Sequence, residues 1–255
     1  MNEDCSALIT ALWCRGLREF AEMAGWLGEK ASQEWAEEAY AKAKAGFEIF
    51  WDEARGSYVD HVINGVRHPA MSQMGGAFAI VSGLAPRERW QRIVETITDP
   101  MKLVVRSWTG GGGDYSPEKM IKQMRGIYEP DWDVENQIVM GEPFISYVVH
   151  DAVAAAGMAD RLPDLYRKWS EFLVDGYDTI GECWGWGTHV HGWSCTPTKD
   201  MIFYDGRQPN PFTVILEKTP CNYLKTQLPN RSSFPSGPAA RPARRTGRRS
   251  RPSRP

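Results

Sequence analysis

The sequence predicts an all-α domain built from pairs of antiparallel helices. Apolar residues recur at helical spacing through most of residues 5–204. Glycine, proline and Asn–Gly signals separate these periodic segments, and the predicted strands are short and lie in the connections. Helical hairpins of unequal sequence are expected to pack side by side in a toroid, whose loops at one end carry the functional residues.

Two helices are predicted in the first 55 residues. Gly28 is placed to end the first helix, and Ser32 to cap the start of the second. An Asn64–Gly65 turn of type I′ then predicts a small β-hairpin over Tyr58–His68. The apolar stripe of the first helix consists of Leu8, Ile9, Leu12, Leu17, Phe20, Met23 and Leu27, and that of the second helix of Trp35, Ala39, Ala43, Phe47 and Phe50.

The remaining elements continue the alternation of helix pairs and connections. A Gly-rich segment at 110–113 lacks the Lys-Ser/Thr pair of a phosphate-binding loop, which excludes a nucleotide site of that kind. Ser116 and Pro117 predict the start of a short helix. The other predicted elements are helices over Met71–Leu84 and Pro86–Ile97, a strand over 101–108, helices over Asn136–Ala156 and Pro163–Val174, a loop over 179–193 and a helix over Trp193–Tyr204.

The overall composition is that of a globular protein. The 255 residues are 42% hydrophobic and 24% charged, which is ordinary for a folded domain. No run of about 18 apolar residues predicts a membrane span, and the N-terminus has no leader pattern of basic and then apolar residues. A cytoplasmic location is therefore the default expectation. The five cysteines include no CxxC pair, so we expect reduced, structural thiols.

The C-terminal end differs in composition from the rest of the chain. Residues 229–255 contain eight arginines, six prolines and no acidic residue. Removing those eight charges from the net charge of −2 leaves −10 on residues 1–228. We therefore expect a folded domain over 1–208 and a disordered, Pro/Arg-rich tail over 209–255. The acidic body and the near absence of aromatic residues in the tail disfavour nucleic-acid binding.

The segment from Thr179 to Met201 carries the most functional information. It combines three tryptophans with a glutamate, two histidines and glycines that let the backbone approach a ligand. Aromatic rings can stack on the C–H face of a sugar, and polar side chains can bond its hydroxyls. The alternative interpretation is a core loop whose tryptophans only pack. The residues predicted to line one concave sugar site are Glu182, Trp184, Trp186, His191 and Trp193.

The acidic residues include candidates for glycosidic bond hydrolysis. Hydrolysis with inversion needs two carboxyl groups, one to protonate the leaving oxygen and one to activate water. Glu182 is the predicted base. Asp133, next to Trp132, is a candidate ligand for sugar hydroxyls, although a solvated acidic loop has the same pattern. His189 and His191 lack a third ligand at recognisable spacing, so no metal site and no cofactor are expected. The candidates for the second carboxyl are Asp60, Asp131, Asp133, Glu135, Glu142 and Asp200.

Six short motifs occur in an informative order. They are F-W-D-E at Phe50–Glu53, Y-V-D at Tyr58–Asp60, S-Q-M-G-G-A at Ser72–Ala77, G-E-P-F-I-S-Y at Gly141–Tyr147, G-E-C-W-G-W-G at 181–187 and H-G-W-S-C-T-P-T at His191–Thr198. In this order the chain resembles the α-L-rhamnosidases and related six-hairpin glycosidases over roughly residues 5–204. The resemblance implies a partial (α/α)6 barrel, inverting hydrolysis of a terminal α-L-rhamnoside, and a rhamnose-containing carbohydrate as ligand. It implies Glu182 as general base, with His191 and Trp193 in the sugar subsite.

Two departures from the family pattern bear on activity. Gly181 stands where the family has a Trp before the Glu, so Trp184 is the candidate replacement as stacking surface. The acidic motif D-x-P-x-R-D-E, in which the family carries its general acid, does not occur in this sequence. We therefore expect the C-terminal part of a catalytic domain, with exposed apolar flanks and no enzymatic rate of rhamnoside hydrolysis. A non-catalytic carbohydrate-binding remnant and a helical interaction scaffold are the alternative functions.

Overall fold

The computed structural model describes residues 5–105, 132–174, 176–184 and 187–204. Its α-helices are α1 Ala7–Leu27, α2 Lys30–Phe47, α3 Gln73–Val81, α4 Trp90–Ile97, α5 Tyr147–Ala155, α6 Leu162–Tyr166, α7 Ser170–Val174 and α8 Thr196–Tyr204. Its strands are β1 Cys5–Ser6, β2 Trp51–Asp52, β3 Ser57–Tyr58, β4 His61–Ile63, β5 Val66–Arg67, β6 Leu103–Val104 and β7 Ile138–Val139. Turns of 3₁₀ helix at Glu48–Phe50, Arg87–Arg89, Ala159–Arg161, Arg167–Trp169 and Gly192–Cys195 extend or connect the helices.

Capping contacts define the first helical hairpin. The Ser6 hydroxyl accepts a hydrogen bond from the Ile9 amide at 3.3 Å, and Gly28 ends α1 in the left-handed conformation with φ 78°. The predicted C-cap is therefore confirmed. The predicted N-cap of α2 is wrong, since α2 begins at Lys30 and Ser32 lies inside it. Because only two residues connect α1 and α2, the helices pack as an antiparallel pair.

Strands in the connections pair with one another, so the fold is mixed α/β and the predicted all-α (α/α)6 barrel is wrong. β1, β4 and β5 form an antiparallel sheet, in which Val62 pairs with Cys5 on one side and with Arg67 on the other. β2 and β3 form a second antiparallel pair, with Trp51 opposite Tyr58. β6 and β7 pair in parallel. Two-residue strands have almost no periodic signal, whereas the helices around them are long enough to be recognised.

The predicted β-hairpin is present but shorter than expected. Asn64 and Gly65 adopt positive φ, at 50° and 76°, as a type I′ turn requires. The hairpin consists of β4 and β5 and therefore covers His61–Arg67. Tyr58 lies outside the hairpin because it pairs with Trp51 across β2 and β3.

The helix predicted over Asn136–Ala156 begins too early. Its first part forms β7, which pairs with β6. Of the strand predicted over 101–108, residues 101–105 are described, and only Leu103–Val104 is a strand. A connection that includes Glu142 then leads to α5, which begins at Tyr147. The end of the helix is where the sequence predicts it, with Gly157 in the left-handed conformation at φ 76°.

Helix α3 lies at the centre of the core. Its residues from Gln73 to Ile80 are all buried, and it packs against α1, α4 and α5. The Gln73 side-chain amide donates to the Ile97 carbonyl at 2.8 Å, and its side-chain oxygen accepts from the Gly141 amide at 2.8 Å. These bonds fix the end of α4 and the connection before α5 relative to α3. The largest fully buried apolar side chains include Tyr58, Phe47, Phe78, Met71, Ile80, Ile93, Ile97, Ile138 and Leu162.

Replacing Gly76 in α3 by Ala should lower the free energy of unfolding by about 1–3 kcal/mol. A Cβ at Gly76 would lie 2.6 Å from Ser57 Oγ and 2.9 Å from Ile93 Cγ2, so β3 and α4 would have to move apart. Gly46→Ala in α2 is the matched control, because nothing lies within 4 Å of that Cβ; it should stabilise the helix by about 1 kcal/mol. Urea unfolding of the three proteins measures both effects. Equal stability of Gly76→Ala and wild type would contradict this close packing.

Several predicted features lie outside the described residues. They are the tail over 209–255 with its boundary at 208, the Gly-rich segment 110–113, the helix start at Ser116, Asp131 and Trp186. Within the described ranges, no helix is long and apolar enough to cross a membrane. The cysteines of these ranges, Cys5, Cys14, Cys183 and Cys195, are free thiols.

Candidate functional site

Two loops are joined by hydrogen bonds at the candidate site. The β7–α5 loop precedes α5, and the α7–α8 loop follows α7. The Trp184 amide donates to Glu142 Oε2 at 2.8 Å, and the Trp184 indole N–H donates to the Gly141 carbonyl at 2.9 Å. The Phe144 amide donates to the Glu182 carbonyl at 3.3 Å. These bonds place the two acidic residues, Glu142 and Glu182, on adjoining loops.

A tight turn of the α7–α8 loop holds Glu182. The Glu182 amide donates to the Thr188 carbonyl at 2.9 Å, and Glu182 Oε2 accepts from the Thr188 hydroxyl at 3.1 Å. Gly187 in this turn has φ 92°, and a Cβ there would lie 3.3 Å from Glu182 Oε2. Glycine is therefore required both for the backbone conformation and for the close approach. The turn fixes the half-buried Glu182 side chain next to the loop that carries Glu142.

The environment of Glu142 favours its protonated form. Burial is the main cause that raises the pKa of Glu142 from its ordinary 4.5 to about 7; the Trp184 amide opposes this rise and the charge of Glu182 adds to it. Glu142 Oε1 is buried without a hydrogen-bond partner among the described residues. A carboxyl group with this pKa carries a proton in a large fraction of molecules at neutral pH and can donate it.

His191 extends the polar group around Glu182. His191 Nδ1 lies 3.2 Å from the hydroxyl of Thr188, the same hydroxyl that donates to Glu182. The imidazole ring meets the Phe144 ring edge-on, with 6.1 Å between the centroids. In the described part of the chain, His191 Nε2 is buried and has no hydrogen-bond partner. An unpaired ring nitrogen of this kind can bond a ligand hydroxyl.

The tryptophans of the predicted site differ in exposure. Trp193 is 75% exposed, and its ring meets His191 edge-on at 5.9 Å between centroids. Trp184 is 6% exposed, because its ring stacks on Phe172 at 5.5 Å and meets Trp169 edge-on at 5.1 Å. Trp184 is therefore a packed ring, as expected if the Thr179–Met201 segment were a core loop. Trp193 is the exposed ring beside His191.

Gly181 has no room for a side chain beside this aromatic cluster. A Cβ at Gly181 would lie 2.9 Å from the Phe172 ring. Phe172 in turn stacks on Trp184, with 18° between the ring planes. The space that a Trp at position 181 would need is therefore occupied.

Asp133 and His189 have partners of their own. Asp133 is exposed, and its carboxylate accepts hydrogen bonds from the Asn136 side chain at 2.8 Å and from the Glu135 amide at 3.2 Å. The bond from the Asn136 side chain holds the pKa of Asp133 below its ordinary value. Asp133 therefore closes the turn before β7, as in the alternative interpretation of a solvated acidic loop. His189 is exposed and stacks on Tyr177 at 4.4 Å between centroids.

A buried polar network joins α5 to α8. His150 Nδ1 lies 2.7 Å from Asp200 Oδ2, and the Lys199 ammonium lies 3.0 Å from Asp200 Oδ1. The Tyr204 hydroxyl donates to Asp151 at 2.5 Å. Asp200, one of the candidate second carboxyls, is 0% exposed. Its contacts give it a structural role between the two helices.

A small cavity lies between this network and the α7–α8 loop. Its volume is about 30 Å³, and its lining includes Gln73, Ser146, His150, Lys168, Trp169 and Trp184. That volume accommodates about one water molecule and is too small for a sugar. On the open side of the loops, the exposed Trp193 ring is accessible to a sugar.

Comparisons with known proteins assign no family: no family model matches the chain, and no curated protein matches it. The resemblance to the α-L-rhamnosidases therefore rests on the short motifs.

Replacing Glu142 by Gln should remove part of the pH dependence of stability. Folded Glu142 keeps its proton up to about pH 7, whereas in the unfolded chain it ionises near its ordinary pKa of 4.5. Because the folded chain holds this proton more tightly than the unfolded chain, Glu142 contributes to the free energy of unfolding at low pH. The contribution is complete below about pH 4.5 and is lost as the pH rises through about 7. The variant should therefore gain stability relative to wild type above that range, by on the order of 1 kcal/mol, since partial exposure screens the charge.

Urea unfolding at about pH 5 and about pH 8 measures this difference. Burial also raises the pKa of Asp60, to about 6, but Asp60 is the same in both proteins and its effect cancels. Glu95→Gln changes an exposed glutamate of α4 and should leave the pH dependence as it is. A stability difference between Glu142→Gln and wild type that does not vary with pH would contradict the raised pKa.

Proposed function

We propose that the chain acts as a glycoside hydrolase related to the inverting α-L-rhamnosidases, with terminal α-L-rhamnosides as its substrate class. The observation that carries the proposal is the pair of carboxyl groups of Glu142 and Glu182 on adjoining loops, which hydrogen bonds hold together. The rhamnosidase-like motifs at Gly141–Tyr147 and at 181–187 contain these two residues and support the choice of sugar.

The two carboxyl groups suit opposite steps of hydrolysis. One group has to protonate the leaving oxygen, and the other has to take a proton from the attacking water. Glu142 suits the first step, because burial raises its pKa to about 7. Glu182 suits the second, because its carboxylate is a hydrogen-bond acceptor, held by the Thr188 hydroxyl at 3.1 Å. The raised pKa of Glu142 therefore assigns it the acid step and leaves the base step to Glu182.

His191 and Trp193 are suited to bind the sugar. Among the described residues His191 Nε2 is buried and has no hydrogen-bond partner, so a sugar hydroxyl that reaches it on binding would satisfy it. The neighbouring Trp193 ring is exposed and can stack on the C–H face of the sugar. A polar and an apolar contact side by side would orient one sugar ring relative to Glu182, which shares Thr188 with His191.

Two measurements on the full chain test the proposal. Calorimetric titration with L-rhamnose measures binding, and release of 4-nitrophenol from its α-L-rhamnoside measures turnover. Because Glu142 offers the acid group that the sequence motif lacks, we expect turnover as well as binding, in place of the inactive chain expected from the sequence. Binding should be about tenfold weaker in Trp193→Ala because a stacking contact is lost. Trp35→Ala, which removes an exposed tryptophan of α2, is the matched control and should bind like wild type. A chain that neither binds nor turns over would contradict the proposal.

A non-catalytic carbohydrate-binding function is the second candidate. It is favoured by the lack of the family's acidic motif in the sequence, whereas the exposed Trp193 ring beside His191 remains able to stack on a sugar. The same measurements separate the two candidates. Binding of L-rhamnose without any turnover would support the second candidate and would exclude the roles given to Glu142 and Glu182.

A further inference from the structure

Helix α1 has two apolar faces, and the described residues cover one of them. The covered face has mostly small side chains and packs against α2 and α3. The opposite face is exposed along the whole helix. The covered residues are Ala7, Ala11, Cys14, Leu17, Ala21 and Ala24, and the exposed ones are Ile9, Leu12, Trp13, Phe20, Met23, Trp26 and Leu27.

The exposed face has the spacing of a coiled-coil seam. Its central positions are 9, 13, 16, 20, 23 and 27, which alternate in steps of four and three. All of them carry large apolar side chains except Gly16. A stripe with this repeat stays on one side of a helix and is typical of a helix that packs against a second helix.

The exposed face is larger than the apolar patch of an ordinary monomer. Its half-exposed side chains present on the order of 700 Å² of apolar surface per chain. Trp35 of α2 extends the face, since its ring meets the Phe20 ring edge-on at 6.1 Å and is 57% exposed. A standard interface buries about 800 Å² per partner. The face is therefore of the size that a stable dimer needs.

We propose that a second copy of this chain covers this face, with the two α1 helices antiparallel. Pairing centred near Arg18 places each seam position opposite another seam position of the second copy. A Cβ at Gly16 would have nothing within 4 Å in its own chain, so the space in front of Gly16 is open to a Phe20 ring. The opposed pairs are Ile9 with Leu27, Trp13 with Met23, and Gly16 with Phe20.

Gly16 also favours the antiparallel arrangement. A parallel pair would place the two copies of Gly16 opposite each other and would leave a gap there. Glu19, the charged residue among the exposed positions of α1, is already paired with Arg15 of its own chain at 2.9 Å.

Sedimentation analysis of the full chain over a range of concentrations tests the proposal. We expect a reversible equilibrium between monomer and dimer. Gly16→Leu fills the space that the Phe20 ring would occupy, and Phe20→Glu places a charge at the centre of the seam. Each variant should raise the dimer Kd about 100-fold or more. Ile202→Glu changes a 72% exposed apolar residue of α8 and should leave the Kd unchanged.

Gly16→Leu also separates loss of association from loss of folding. It replaces a helical glycine at a position with no neighbour, so the monomer should be at least as stable as wild type. A chain that is monomeric at all concentrations would overturn the proposal. A dimer that Gly16→Leu and Phe20→Glu do not weaken would also overturn it, and so would an assembly larger than a dimer. The face would then be available to a helix other than α1 of a second copy.

Disulfide trapping tests the antiparallel register. Chains with Ile9→Cys and chains with Leu27→Cys are mixed, each with the native Cys5, Cys195 and Cys221 replaced by Ser. We expect rapid disulfide formation between the two kinds of chain and little within either kind alone. Preferential linkage of Ile9→Cys chains to each other would overturn the antiparallel arrangement. Neither result depends on the function proposed for the glutamate pair.

Discussion

Glu182→Gln should lower the rate of α-L-rhamnoside hydrolysis by about 10²–10⁴-fold, because an amide cannot take the proton of the attacking water. Gln keeps the size of the side chain and still accepts the hydrogen bond that Thr188 donates at 3.1 Å. The turn around Glu182 should therefore keep its conformation, so the loss should appear in kcat with little change in KM. Steady-state release of 4-nitrophenol measures both constants.

A control substitution distinguishes the loss of the base from a general effect of replacing a glutamate by glutamine. Glu95→Gln alters an exposed glutamate of α4 in the same way and should retain wild-type kcat. The unfolding midpoints of both variants should equal that of wild type, since neither side chain is deeply buried. Wild-type kcat in Glu182→Gln would exclude Glu182 as the general base.

Asp200→Ala should lower the free energy of unfolding by about 3–5 kcal/mol. Asp200 is 0% exposed, and its carboxylate contacts His150 at 2.7 Å and Lys199 at 3.0 Å. The substitution would leave the buried His150 side chain without its partner and would open a gap between α5 and α8. Urea unfolding monitored by tryptophan fluorescence measures the loss.

Asp178→Ala is the control for this substitution. Asp178 is an exposed aspartate of the α7–α8 loop, so its removal should change the free energy of unfolding by less than about 0.5 kcal/mol. The loss of unfolding free energy in Asp200→Asn should lie between those of Asp200→Ala and Asp178→Ala, because the amide keeps one acceptor for His150 but loses the charge. A cost below about 1 kcal/mol for Asp200→Ala would show that the network does not join the two helices.

Local sequence signals predicted the parts of the fold that depend on local structure. Gly28 and Gly157 end helices, and Asn64–Gly65 forms a hairpin turn, because left-handed backbone conformations favour these residue types. The fold class was wrong because it depends on pairing between distant strands. β6 and β7 are separated by more than 30 residues, and a two-residue strand such as Ile138–Val139 has the same apolar character as the start of a helix.

The candidate site was predictable where it depends on contacts within one short segment of the chain. The Thr179–Met201 segment does bring Glu182 and His191 together through Thr188, since all three lie in the α7–α8 loop. Glu142 was one of six candidates for the second carboxyl, and the sequence could not single it out, because its raised pKa comes from burial. The packing of Trp184 on Phe172 is likewise a contact between separate segments, and residue types alone do not distinguish a packed ring from an exposed one.

The most direct test of the acid and base pair is a proton NMR spectrum recorded during hydrolysis of an alkyl α-L-rhamnoside by the full chain. An alkyl leaving group needs a proton, so this substrate requires Glu142 as well as Glu182. We expect β-L-rhamnose to appear first, and we expect Glu142→Gln and Glu182→Gln each to abolish its formation. An unchanged substrate spectrum with wild type after prolonged incubation, or hydrolysis that survives both substitutions, would contradict the account.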